Sequence, residues 1–148
     1  MMIQIKNQIT EQDASIEEPD LRELEDKYDF KFPDAIRQFY LQYNGGRLER
    51  HYYVTQDNTY ILSYFYSIKY GSATLNIKME LNYVDEWWPK ELIPFGYDGG
   101  GNSFCFHKTS GKIYYVYEDT YDDDDENVPI ECLASDFLSF INNMVEEE

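Results

Sequence analysis

Apolar residues along the first forty positions recur at helical spacing. Leu21, Leu24 and Tyr28 stand three and four residues apart and predict a short amphipathic helix over 17–28. Its acidic start, Glu17-Glu18-Pro19-Asp20, suits the positive end of a helix dipole. Pro33, with its fixed φ and missing N–H, suits the first turn of a second helix carrying Ile36, Phe39, Tyr40 and Tyr43 on one face. Asn44-Gly45-Gly46 can take positive φ and marks the stop. The period then changes: His51–Val54 and Tyr60–Tyr66, either side of a polar Gln56-Asp57-Asn58 turn, are rich in strand-forming residues. Leu75, Met79 and Tyr83 permit a third helix within Ala73–Trp88. Leu92–Gly96 reads as a strand leading into the loop Tyr97–Asn102. Ser103–His107 and Ile113–Tyr117, joined by Lys108–Lys112, read as an antiparallel hairpin. Glu118–Glu126 reads as an exposed acidic loop. Beyond it, Ala134 or Ser135 opens a final helix with Phe137, Leu138, Phe140, Ile141, Met144 and Val145 apolar, fraying into Glu146–Glu148. No internal repeat is visible. The order predicts a single α+β domain over residues 1–148, one mainly antiparallel sheet flanked by helices.

Length agrees with one domain, because a 148-residue chain buries enough surface to fold without disulfide or metal staples. The net charge of −17, from 12 Lys plus Arg against 29 Asp plus Glu, raises the alternative of disorder. Composition answers it: 43% hydrophobic and 18% aromatic residues, including 15 Tyr and 9 Phe, predict a folded, aromatic-rich core under an acidic surface. Such a surface repels phosphate backbones and anionic lipid, which disfavours nucleic-acid and membrane partners and favours a basic one. Cys105 and Cys132 are too few for a disulfide framework and are expected to be reduced and buried. Met1–Asn7 lacks an apolar run of signal-peptide length, and no stretch reaches the roughly 18 apolar residues of a membrane span, so a cytoplasmic location is expected.

Candidate chemistry is sparse. Cys105 and His107 share one face of a strand, but their surroundings are aromatic and acidic, and nothing cationic would lower the thiol pKa. A buried thiol beside a strand-end His is the plainer reading. The two His and two Cys show no zinc spacing, and Asp122–Glu126 lacks the plan of an EF-hand loop, leaving at most loose collection of divalent cations. Asp98 and Asn102 flank a triple glycine, yet the spacing fits no phosphate-binding loop, and glycines there suit a tight strand-to-strand corner. No enzyme activity, cofactor or resident metal is expected. Trp87 and Trp88 could anchor an interface or belong to the core.

Charge placement says more. The last cation is Lys112, and the chain beyond it carries twelve acidic residues: Glu118, Asp119, Asp122, Asp123, Asp124, Asp125, Glu126, Glu131, Asp136, Glu146, Glu147 and Glu148. One reading is a solvated run that keeps the protein soluble. The other is a docking surface, where a basic partner relieves the mutual repulsion of four adjacent aspartates and is steered in by it.

Two ordered segments carry a resemblance. Leu24-x-x-Lys27-Tyr28-x-Phe30-Lys31-Phe32-Pro33-x-x-Ile36-x-x-Phe39-Tyr40-x-x-Tyr43-Asn44-Gly45-Gly46 resembles the opening of the Smi/Knr cell-wall-assembly regulator domain of the SUKH superfamily. Leu92-Ile93-Pro94-Phe95-Gly96-x-x-Gly99-Gly100-Gly101-Asn102-x-Phe104-Cys105-Phe106, then Gly111-Lys112-Ile113-x-x-Val116-Tyr117 and Leu133-Ala134-Ser135-Asp136-Phe137-x-x-Phe140-Ile141, resembles the rest. Asn102 and His107 stand where the family commonly has acidic residues. The resemblance implies a SUKH-like fold and a non-enzymatic binding domain. Bacterial members are similar to immunity proteins that bind and neutralise a cognate polymorphic or contact-dependent toxin, often a nuclease. Fungal members resemble regulatory scaffolds, so an intracellular regulatory or scaffold module is the alternative. On the immunity reading the partner-binding residues are Glu118, Asp119, Asp122, Asp123, Asp124, Asp125 and Glu126, with Tyr97, Asp98 and Tyr121 as neighbouring contacts.

Overall fold

A computed structural model describes residue 5 and residues 7–71, 76–83, 90–117 and 130–146. The acidic tract 118–126 and the pair Trp87-Trp88 lie outside the described residues, as do both ends of the helix expected over 73–88.

The opening helices form where the apolar spacing places them. α1 spans Glu18–Tyr28 and turns Leu21 and Leu24 inward. Asp20 accepts the backbone N–H of Glu17 at 3.0 Å, and Asp29 ends the helix in the left-handed region at φ 55°, which Asp tolerates better than most residues. α2 spans Asp34–Gln42, with Pro33 at the cap and not in the first turn, and buries Ile36, Phe39 and Tyr40. Tyr43 lies beyond its end in extended backbone, and Gly45 and Gly46 take φ 86° and 108°.

The described strands form three antiparallel sheets. β1 (Ile9–Thr10) pairs with β2 (Arg47–Leu48), and β3 (Tyr52–Val54) pairs with β4 (Thr59–Ile61). The main sheet has the order β5 (Tyr64–Phe65), β6 (Leu92–Tyr97), β7 (Ser103–His107), β8 (Ile113–Val116), β9 (Ile130–Ala134). Between β5 and β6 lies α3, Ile77–Tyr83. α4, Phe137–Asn142, closes the order, starting at Asp136, whose carboxylate accepts the N–H of Ser139 at 2.8 Å. The fold is α+β, with helices flanking a mainly antiparallel sheet. No described helix is long and apolar enough to cross a membrane.

Three details differ from the sequence-based expectation. Tyr60–Tyr66 is not one strand: it breaks at Leu62-Ser63 and serves two sheets, β4 in one and β5 in the other. β9 occupies residues between the acidic tract and the final helix to which the sequence pattern assigned no element, and it takes in Ala134, one of the two expected helix starts. The final helix stops at Asn142, and Val145 instead pairs with Tyr52 through reciprocal backbone hydrogen bonds of 3.2 and 2.8 Å.

The core is aromatic. Tyr40, Phe39, Phe95, Phe104, Phe106 and Phe140 are the largest fully buried side chains. Phe39 meets Phe65 and Phe137 at ring separations of 4.6 and 5.1 Å, and Phe104 meets Phe140 at 5.7 Å. Pairs of this kind add roughly 0.5–1.5 kcal/mol beyond area burial. The hydroxyl of Tyr40 donates to the carbonyls of Tyr66 and Phe95 across the layer between α2 and the sheet, and burial pushes its pKa well above the usual value. One face of the main sheet joins this core; the other carries a small cluster of Leu92, Cys105 and Val116.

Register determines what gathers at one end of the sheet. Tyr97 pairs with Ser103, Ser103 with Val116, and Val116 with Ile130. The loop 98–102 and the two points where the acidic tract joins the sheet, Tyr117 and Ile130, therefore share that end.

Candidate functional site

The loop after β6 is organised by one carboxylate. Asp98 Oδ1 accepts the backbone N–H of Gly100 at 2.8 Å and of Asn102 at 3.0 Å. Its Oδ2 accepts Asn102 Nδ2 at 3.2 Å and the hydroxyl of Tyr115. Asn102 is thus an amide donor to Asp98, where a second carboxylate would be repelled. The glycines do what a tight corner requires. A Cβ on Gly96 would lie 2.6 Å from Leu62 Cδ1 and 3.1 Å from the Tyr64 carbonyl, and Gly101 takes φ 89°.

Beside the loop, β4, β8 and β9 build a phenol–carboxylate group. Tyr60 and Tyr117 place their hydroxyls 3.0 and 3.1 Å from Glu131 Oε2, and 3.0 Å from each other. Two phenolic hydrogens serve one carboxylate oxygen, so Glu131 is held as an acceptor. Burial first, then the hydrogen bonds with Tyr60 and Glu131, push the Tyr117 pKa far above the ordinary value, so its hydroxyl stays protonated and donating. The rings of Tyr60 and Tyr117 each stand 4.8 Å from that of Tyr115. An open cavity of about 350 Å³ lies between the β3–β4 hairpin and the loop, lined by Tyr60, Ile61, Ser63, Asp98, Gly99 and Tyr115.

Of the residues expected to contact a partner, Tyr97 and Asp98 are described and adjoin this cavity's loop. Tyr97 is half-buried, its ring 4.9 Å from Tyr66 and 6.1 Å from Tyr64, and burial raises its pKa. The Asp98 carboxylate is engaged by its own loop and by the Tyr115 hydroxyl. Glu118, Asp119, Tyr121, Asp122, Asp123, Asp124, Asp125 and Glu126 fall outside the described residues. Sequence reasoning missed Tyr60, Tyr115, Tyr117 and Glu131 as a group. The two-residue step between Tyr115 and Tyr117 places them on one face of a strand, but only pairing with β9 brings Glu131 to them.

The remaining candidates resolve simply. Cys105 is fully buried, and His107 Nδ1 accepts the N–H groups of Thr109 and Ser110 at 3.2 Å, ordering the β7–β8 turn. Cys132 was expected to be buried and is exposed, because β9 is the sheet edge and alternation turns this side chain away from the main core. Among the described residues, no three His, Cys, Asp or Glu side chains gather as a metal site would require. A larger cavity of about 920 Å³, by α1 and the β7–β8 turn, mixes both charge signs, and its buried Glu25 is tied to Arg37.

No curated protein matches the chain. A family model does, from just before α1 to just past α4, a span containing the four described helices and the described main sheet: the chain belongs to the SMI1 / KNR4 family (SUKH-1), matched over residues 15–143.

Proposed function

We propose that this chain is an immunity protein, a non-enzymatic binding domain that neutralises a cognate toxin by occluding it with an acidic surface. The observation that carries the reading is where the described residues on either side of the acidic tract lie. Tyr117 and Ile130 lie at the end of the sheet where Asp98 and Glu131 are held by phenols and amides, and the sequence between them carries seven acids. No Lys or Arg follows Lys112 to compensate them. A toxin that cleaves nucleic acid presents Lys and Arg to phosphate, and a carboxylate array fits the same groove. Family membership supports a binding domain of this architecture. The partner is then a basic toxin domain, met in the cytoplasm, with Glu118–Glu126, Tyr97 and Asp98 in contact with it.

Co-expression with each adjacent open reading frame tests this. Rescue of growth from a lethal neighbour is the expected result. A neighbourhood without any toxic product contradicts immunity and favours a regulatory scaffold.

A further inference from the structure

The β3–β4 hairpin has two unlike faces. Tyr53 and Tyr60 point inward: the Tyr53 ring lies 4.9 Å from Phe140 and its hydroxyl donates to the Leu133 carbonyl at 2.8 Å, while Tyr60 reaches Glu131. Alternation therefore turns Tyr52, Val54, Thr59 and Ile61 outward. Register sets Tyr52 opposite Ile61 and Val54 opposite Thr59. On the other side of Tyr52, Val145 exchanges both backbone hydrogen bonds with it, which places the two side chains next to each other on the same face. Ile61, Tyr52 and Val145 thus form one row across three chain segments, with Val54 in the next row.

Ile61 is 40%, Val145 41% and Val54 57% exposed. Single exposed apolar residues are ordinary, but a contiguous row contributed by segments far apart in the sequence is the kind of patch that marks an interaction surface. Its surroundings are acidic. Asp57 lies in the hairpin turn, Glu146 follows Val145, and Asp98 lines the cavity that Ile61 also lines. Residues 52–63 contain no Lys or Arg. An apolar centre with a charged rim is the usual anatomy of a protein interface.

We propose that this row is the apolar centre of the docking surface and that its occupant is a basic protein, whose aliphatic side chains cover Ile61, Tyr52, Val145 and Val54 while its Lys and Arg meet the surrounding carboxylates. A second copy of the chain is disfavoured, because two bodies of charge −17 repel. The proposal rests on the binding-protein reading above and adds to it a surface that the acidic tract does not include.

The test uses two peptide probes of equal positive charge, one alternating Leu and Lys and one of Lys with Gly, titrated at about 0.15 M salt, where surface attraction is screened beyond roughly 8 Å. The alternating peptide is expected to bind saturably and more tightly. The double substitution Val54→Thr with Ile61→Thr keeps strand-favouring residues and should weaken that peptide about tenfold while leaving the lysine–glycine peptide unchanged. Val145→Thr, on a separate segment, should act in the same direction and serves if the hairpin variant has a lowered unfolding midpoint. Equal binding of the two peptides, no binding of the alternating one, or no effect of either variant overturns the proposal. Sedimentation showing a wild-type dimer lost in the variant would assign the face to a second copy and also overturn it. Growth rescue is read separately: rescue with a negative peptide result moves the interface elsewhere, and a positive peptide result without rescue leaves the surface but removes the toxin.

Discussion

Glu25 shows how a buried charge is accommodated here. It is 7% exposed, yet one oxygen accepts the Phe32 N–H at 2.8 Å and the other meets Arg37, which also pairs with Glu18. Burial alone would lower the Arg37 pKa, but the two glutamates outweigh it and raise it. Removing one partner of such a group costs more than the pair contributes, because the other is left buried. Glu25→Ala should therefore lose about 2 kcal/mol by urea unfolding, and Glu18→Ala, at the exposed end, well under about 1 kcal/mol. Asp136 gives a pH-dependent case. Hydrogen bonds, first from the Ser139 backbone, hold its pKa below the usual carboxylate range. A depressed folded pKa means that its stabilisation is complete above the unfolded Asp value of about 3.9 and fades as pH falls through the lower folded value. Asp136→Ala should cost about 1 kcal/mol at pH 7 and progressively less in acid, as seen in melting curves across pH.

The elements divide by how their sequence signal was made. α1 and α2 were legible because Leu21, Leu24, Ile36, Phe39 and Tyr40 repeat at helical spacing beside Pro19 and Pro33. The β7–β8 hairpin was legible because two runs rich in aromatic and β-branched residues stand either side of a Lys108–Lys112 turn that contains Gly111. β9 was not, since its inward face carries Glu131, a charge that alternation reads as outward; its phenol partners come from strands distant in sequence. The break at Leu62-Ser63 was hidden because Tyr60, Leu62 and Phe65 are all buried and the run looks continuous. The same absence of long-range information concealed the Tyr60–Tyr117–Glu131 part of the candidate site, whereas Asp98 and its glycine loop were visible in a local motif. Two element-level predictions follow from these contacts. Gly96→Val should strain the β5–β6 pairing against Leu62 and the Tyr64 carbonyl and cost about 1–3 kcal/mol by denaturation. Tyr117→Phe removes one of two hydroxyl donors to Glu131 and should cost about 1 kcal/mol, with slower exchange protection lost first in β9 amides.

For the whole molecule, charge is the organising quantity. A net charge of −17 on 148 residues destabilises the compact state by self-repulsion while keeping copies apart. Added salt should raise the melting temperature, and calorimetry showing no change between low and about 0.5 M salt would contradict that. The same charge, concentrated in the sequence beyond Lys112, would give the proposed surface its attraction for a basic partner. The most direct test is the association rate of the chain with the basic toxin domain proposed as its partner, measured from low to moderate salt, for wild type and for Asp122→Asn, Asp123→Asn, Asp124→Asn and Asp125→Asn combined. The expected result is association slowed about tenfold or more at low salt and a flattened salt dependence in the variant. An unchanged rate with an unchanged salt slope would contradict an electrostatic docking role for the acidic tract.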